Sequence, residues 1–71
     1  MVTAHTRLTV NLTERSATAL NEASDLTGDT RTDVVNRALQ MYAWMMQLHH
    51  GSGAVYVRRG PDADLERVRF L

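Results

Sequence analysis

The sequence predicts a mainly α-helical chain with a short N-terminal strand and a C-terminal β-hairpin, assembled as an intertwined homodimer. Three observations predict this fold class: a strict alternation of polar and apolar residues, two stretches of helical periodicity, and two runs rich in strand-forming residues on either side of a Gly-Pro turn. These patterns cover residues 7–12, 14–26, 31–49, 54–59 and 66–71. Before them, residues 1–6 are predicted to be a flexible arm.

The first strand is predicted over residues 7–12, where every second residue is apolar. In a strand, alternate side chains point to opposite faces. The apolar face would hold Leu8, Val10 and Leu12, and the polar face would hold Arg7, Thr9 and Asn11. Because two helices follow before any other strand, we expect this strand to pair with its copy in a second chain, as an intermolecular antiparallel β-ribbon.

The first helix is predicted to begin after Thr13, which is a good N-cap residue, and to run to about Leu26. Its apolar positions recur at helical spacing, at Ala17, Leu20 and Ala23. Gly28 is predicted to end the helix, since glycine readily adopts the positive φ of a C-terminal cap.

The second helix is predicted over residues 31–49, with Thr30 as N-cap and Asp33 as its capping-box partner. Apolar residues cover most of its circumference, which indicates burial on two sides, one of them against a partner subunit. The expected core contains Ala17, Leu20, Ala23, Val34, Val35, Ala38, Leu39 and Tyr42. Trp44 falls on the narrow polar stripe; either the C-terminal segment covers it or it binds another protein.

The C-terminal segment is predicted to form a hairpin after a flexible joint at 51–53, with its turn at 60–64. A register with Val57 opposite Val68, and Val55 opposite Phe70, would put Arg59 across from Glu66. The other face would be a secondary cationic site made of Tyr56, Arg58, Arg67 and Arg69. This site would contact flanking phosphate or an acidic protein, or else be a solvated edge sheet whose charges discourage aggregation.

Composition limits the classes of function. The chain has 71 residues, zero net charge and no cysteine, so disulfides and thiolate metal sites are excluded and oligomerisation is expected to supply stability. No nucleophile motif, phosphate loop or metal-ligand cluster is present, which predicts no enzyme activity, no cofactor and no metal. No signal-peptide pattern is present and the longest apolar run, 41–46, is too short to cross a membrane, which predicts a cytoplasmic protein.

The order strand, helix, glycine-containing turn and helix, over residues 7 to about 48, resembles the ribbon-helix-helix family of the Arc and MetJ type. Two motifs carry the resemblance, RLTVNL at 7–12 and GDTRTDVVNRAL at 28–39. The resemblance implies that 7–50 is a dimerisation and DNA-binding domain whose ribbon enters the major groove. It also implies that the start of the second helix clamps backbone phosphates. Residues 51–71 form an extension outside the family motif.

We therefore expect a transcriptional repressor that binds double-stranded DNA sequence-specifically as a homodimer or a higher assembly. Arg7 would read guanine, Asn11 adenine, and Thr9 either a base edge or a thymine methyl. Phosphate contacts would come from Thr30, Arg31 and Thr32 at a helix N-terminus. Two alternatives stay open: an antitoxin whose C-terminal part binds a toxin, and a dimerisation module that does not bind DNA, which the neutral charge favours.

Overall fold

A computed structural model of the chain describes residues 6–69 and contains two helices followed by a two-stranded antiparallel hairpin. The elements are α1 (Glu14–Thr27), α2 (Arg31–His50), β1 (Val55–Arg58) and β2 (Leu65–Val68). Internal contacts divide the chain into two units, Met1–Val34 and Val35–Leu71. The first unit contains α1 and the start of α2, and the second contains the rest of α2 and the hairpin.

The predicted fold class is wrong at the N-terminus. Residues 6–13 form neither helix nor strand, and the described sheet consists of β1 and β2 paired with each other. The predicted strand at 7–12, and the ribbon-helix-helix fold with an intermolecular ribbon that depended on it, are therefore not supported. The alternation of polar and apolar residues indicates which side chains would share a face. A strand forms, however, only when its backbone N–H and C=O groups pair with those of a neighbouring strand. The predicted arm lies outside the described residues except for Thr6.

Helix α1 has the caps that the sequence predicts. Its N-cap Thr13 is extended, with ψ 160°, and its Oγ1 accepts a hydrogen bond of 3.1 Å from the Ser16 N–H. At the other end Gly28 has φ 75°, and its N–H donates to the Ser24 carbonyl at 2.9 Å. The half-buried residues of α1 are Ala17, Leu20, Ala23 and Ser24, which follow the predicted apolar stripe.

The turn between the helices is held by short-range hydrogen bonds. The Asp29 N–H donates to Thr27 Oγ1 at 3.1 Å, and Ser24 Oγ donates to the Asp29 carbonyl at 2.6 Å. Thr30 then caps α2, since its Oγ1 accepts from the Asp33 N–H at 3.1 Å. Every partner lies within five residues of the other, so the local sequence is enough to specify this turn.

The segment 51–53, predicted to be a flexible joint, is a hydrogen-bonded cap at the end of α2. The Ser52 N–H donates to the His49 carbonyl at 3.0 Å, and the Gly53 N–H donates to the Leu48 carbonyl at 2.7 Å. This pair of bonds is the Schellman arrangement, with Ser52 in the left-handed position at φ 66°. The usual residue there is glycine, which explains why the sequence pattern did not reveal the cap.

The hairpin forms in the predicted part of the chain, but its strands are shorter than the predicted 54–59 and 66–71, and its register differs by two residues. The observed partners are Val55 with Val68, Tyr56 with Arg67, Val57 with Glu66, and Arg58 with Leu65. Because the side-chain period of a strand is two, this shift leaves the composition of each face unchanged. Phe70, the predicted partner of Val55, lies outside the described residues. The Ala63 N–H donates to the Gly60 carbonyl at 3.2 Å, which closes the turn.

No residue within 6–69 is buried. Of the predicted core, Ala17, Leu20, Ala23 and Val34 are half-buried, whereas Val35, Ala38, Leu39 and Tyr42 are exposed. The predicted core is therefore not closed by the single chain. A domain of this size has little apolar surface to bury on its own, and oligomerisation is a common source of the missing stability.

Candidate nucleic-acid interface

The segment that precedes α1 carries the predicted base-reading residues, Arg7, Thr9 and Asn11, and all three side chains are exposed. The alternating apolar residues are also uncovered, with Leu8 77% exposed, Val10 57% and Leu12 47%. Since no strand is formed, the structure does not bring the three polar side chains to one strand face. It leaves both the polar and the apolar set accessible to a partner.

The second predicted site, at the start of α2, is shaped by its cap. Thr30 accepts a hydrogen bond from the Asp33 N–H, and its hydroxyl still has its own proton to donate. Arg31 and Thr32 are exposed beside it. The positive end of the helix dipole favours an anion here, whereas the carboxylates of Asp29 and Asp33 reduce the local positive potential. The arrangement suits one backbone phosphate better than a highly charged ligand.

The hairpin brings together the predicted secondary cationic site. Tyr56 and Arg67 are cross-strand partners, and Arg58 lies on the same face opposite Leu65. Arg69 directly follows β2 and is exposed. The predicted opposition of Arg58 and Arg67 is wrong, because the two-residue shift makes them diagonal neighbours. Diagonal Cα atoms in an antiparallel pair are about 7–8 Å apart, so the two charges repel less than a directly opposed pair.

The opposite face of the hairpin carries an ion pair. Arg59 Nε lies 2.9 Å from Glu66 Oε2. The predicted cross-strand pairing of these two residues is nevertheless wrong, because Glu66 is opposite Val57. Both side chains are exposed, and such pairs contribute about 0–1 kcal/mol to stability. Its main effect on the site is that the Glu66 carboxylate is directed to Arg59, away from the other arginines.

Helix α2 exposes apolar side chains on two sides. Trp44 is 52% exposed, so the side chain is not enclosed within the described residues, as it would be if the C-terminal segment covered it fully. Val35, Leu39 and Tyr42 are also exposed, and their spacing of four and three residues puts them on one stripe. At 100° per residue, this stripe lies roughly opposite Trp44. The sequence placed these three residues in the core and did not identify them as accessible surface.

Other kinds of site receive no support from the described part of the chain. Within residues 6–69, no group of three His, Asp or Glu side chains is placed to hold a metal ion. His49 and His50 are the last two residues of α2. No helix among these residues has the length and apolar character needed to cross a membrane.

No protein-family model matches the chain, and no curated protein or solved structure shows significant similarity to it. Function is therefore inferred from the chain's own residues and their arrangement.

Proposed function

We propose that this protein is a transcriptional regulator, acting as a repressor, that binds double-stranded DNA sequence-specifically as a homodimer in the cytoplasm. The observation that carries the proposal is the exposed segment before α1, in which Arg7, Thr9 and Asn11 alternate with uncovered apolar side chains. Arginine makes bidentate bonds to guanine and asparagine to adenine in the major groove, and threonine bonds base edges. These side-chain types are therefore suited to direct readout of base edges.

Dimerisation is supported by the apolar half of the same segment. Leu8, Val10 and Leu12 are each about half exposed or more, and fully burying one such side chain contributes about 1.5–3 kcal/mol. Association of two copies that covers these residues therefore gives a favourable free energy that the single chain does not obtain. A twofold dimer also presents two copies of the base-reading set, which matches two symmetric half-sites.

Backbone contacts are assigned to the start of α2. Thr30, Arg31 and Thr32 lie at a helix N-terminus, where N–H groups and the helix dipole attract a phosphate. Contacts of this kind orient a protein on the duplex without reading sequence. Because the net charge is zero, non-specific attraction to DNA is weak and discrimination depends on the base contacts.

The test begins by selecting bound duplexes from a random pool and footprinting the preferred sequence. We expect Arg7→Ala and Asn11→Ala each to lose about 1–3 kcal/mol of specific binding and to relax the preference at one position. Arg15→Ala is the matched control, since it removes another exposed arginine, from α1 rather than from the segment before it, and should leave binding unchanged. Enrichment of no duplex, or full affinity in both variants, would reject the proposal.

A dimerisation module that does not bind DNA is the second candidate, and the combination of zero net charge with exposed apolar side chains favours it. Binding to a defined duplex that falls steeply with salt would exclude this candidate. The antitoxin alternative is less well supported, because β1 and β2 pair within the chain, whereas antitoxin tails often fold only on their toxin.

A further inference from the structure

We propose that the hairpin is a second DNA-binding element, which contacts the phosphate backbone without reading sequence. The contact surface, called here the cationic face, consists of Tyr56, Arg58 and Arg67. This inference rests on the proposed function and deepens it. It assigns a role in DNA binding to the C-terminal segment, which contains none of the proposed base-reading residues.

The first argument is the segregation of charge between the two faces of the hairpin. The register puts Tyr56, Arg58, Leu65 and Arg67 on one face, which therefore carries two positive charges from its strands and no carboxylate. The acidic residue of β2, Glu66, lies on the other face and is held by Arg59 at 2.9 Å. A positive surface on a chain of zero net charge attracts an anionic partner locally.

The second argument is the spacing of the two guanidinium groups. With Arg58 opposite Leu65 and Arg67 opposite Tyr56, the arginines are diagonal, with Cα atoms about 7–8 Å apart. Directly opposed arginines would converge on one small anion. Diagonal arginines instead spread their charge along the face, which fits successive phosphates of a polyanion. Tyr56, which is 57% exposed, adjoins both arginines, and tyrosine hydroxyls also donate hydrogen bonds to phosphate oxygens.

The third argument is the size of the surface. Four residues of strand span about 13 Å and two paired strands about 10 Å, so the face covers on the order of 130 Å². A stable protein–protein interface buries roughly 800 Å² on each partner, with apolar anchors at its centre. Beside the three residues of the cationic face, Leu65 is the one aliphatic residue on the same side of the paired strands. A few phosphate contacts, by contrast, need no larger surface, and this favours DNA over an acidic protein.

The connection between α2 and the hairpin supports the same role. Three backbone hydrogen bonds, from the N–H groups of Gly51, Ser52 and Gly53, hold the segment that leads into β1. A connection that is ordered before binding loses less conformational entropy when the hairpin meets DNA.

The experiment compares the wild type with the double variant Arg58→Gln/Arg67→Gln on the selected duplex and on an unrelated duplex. Binding is measured over a range of salt concentrations. Each phosphate contact contributes about −0.9 to the slope of log K against log salt. Loss of two contacts should therefore make the slope less steep by about 1.8 per chain. Affinity should drop by the same factor for both duplexes. Arg59→Gln/Glu66→Gln is the control, since it removes an arginine from the opposite face together with the carboxylate that this arginine holds, and it should leave the slope unchanged.

The outcomes separate this inference from the proposed function. If the double variant keeps the wild-type slope while the wild type still selects a sequence, the hairpin inference is overturned and the regulator stands. If the wild type selects no sequence but binds any duplex with a slope that depends on Arg58 and Arg67, the inference is supported and sequence-specific regulation is rejected. Equal, variant-sensitive binding to a polyglutamate chain would overturn it in favour of an acidic protein, and no binding to any duplex would overturn both.

Discussion

Replacing Ser52 by glycine should stabilise the protein, because Ser52 occupies the left-handed position of the α2 cap at φ 66°. The left-handed conformation costs a residue with a Cβ atom roughly 1–2 kcal/mol, whereas glycine has no such steric penalty. Glycine loses more backbone entropy on folding, which offsets roughly 0.5–1 kcal/mol of the gain. The expected net increase in the free energy of unfolding is about 0.5–1 kcal/mol.

At the neighbouring residue, Gly53, the geometry of the same cap predicts that a substitution lowers stability. A Cβ atom at Gly53 would lie 2.9 Å from the Leu48 carbonyl oxygen, which already accepts the Gly53 N–H at 2.7 Å. Because the clashing atom belongs to the backbone, the cap must shift and weaken its shortest hydrogen bond. Gly53→Ala should therefore destabilise the protein by about 1–3 kcal/mol, the range of a lost hydrogen bond together with local strain.

The assay is urea unfolding followed by circular dichroism of the helices, at one fixed protein concentration because association changes apparent stability. With an m-value of about 1 kcal/mol/M, Ser52→Gly should raise the urea midpoint by about 0.5–1 M without changing m. Ser52→Ala is the matched control, since it removes the hydroxyl but keeps the Cβ atom, and it should leave the midpoint unchanged. An equal rise of the urea midpoint in Ser52→Ala, or a lower midpoint in Ser52→Gly, would contradict the cap and favour the predicted flexible joint.

Three further predictions follow from single contacts or exposures. Thr30→Ala removes the hydroxyl that accepts the Asp33 N–H at 3.1 Å and should lower the free energy of unfolding by about 1 kcal/mol, measured by thermal denaturation; an unchanged value would contradict the capping role. Val10→Asp places a charge among the apolar residues proposed to associate and should shift the protein to monomer in sedimentation; a dimer as tight as the wild type would exclude this segment from the interface. Arg59→Gln breaks the exposed ion pair with Glu66 and should change stability by less than about 1 kcal/mol in urea; a larger loss would show that the pair holds the hairpin together.

The helices and their caps could be predicted because their determinants are local. The Thr13 cap joins residues three apart, and the Gly28 cap joins residues four apart, so each can be recognised from a short piece of sequence. The cap at Ser52 uses the same kind of bond, but a serine stands where the pattern leads one to expect glycine. Residue identity alone was therefore not enough at that position.

The hairpin was predictable in its faces but not in its register. Period-two alternation assigns Tyr56, Arg58 and Arg67 to one face in either register, which is why the cationic site keeps its members. The register depends instead on how many residues the turn takes up, and the turn closes between Gly60 and Ala63. That choice decides whether Arg58 faces Arg67 or Leu65, and hence whether the site fits one anion or several phosphates.

By itself, the sequence determined the two helices, their N-caps, the position of the hairpin and the chemistry of each candidate contact residue. Only the tertiary structure showed that residues 6–13 form no strand, that no residue within 6–69 is buried, and which residues pair across the hairpin. The division has a physical cause. Caps and helical periodicity depend on neighbours a few residues away, whereas a strand and a core exist only when a separate segment supplies hydrogen bonds and covers apolar surface.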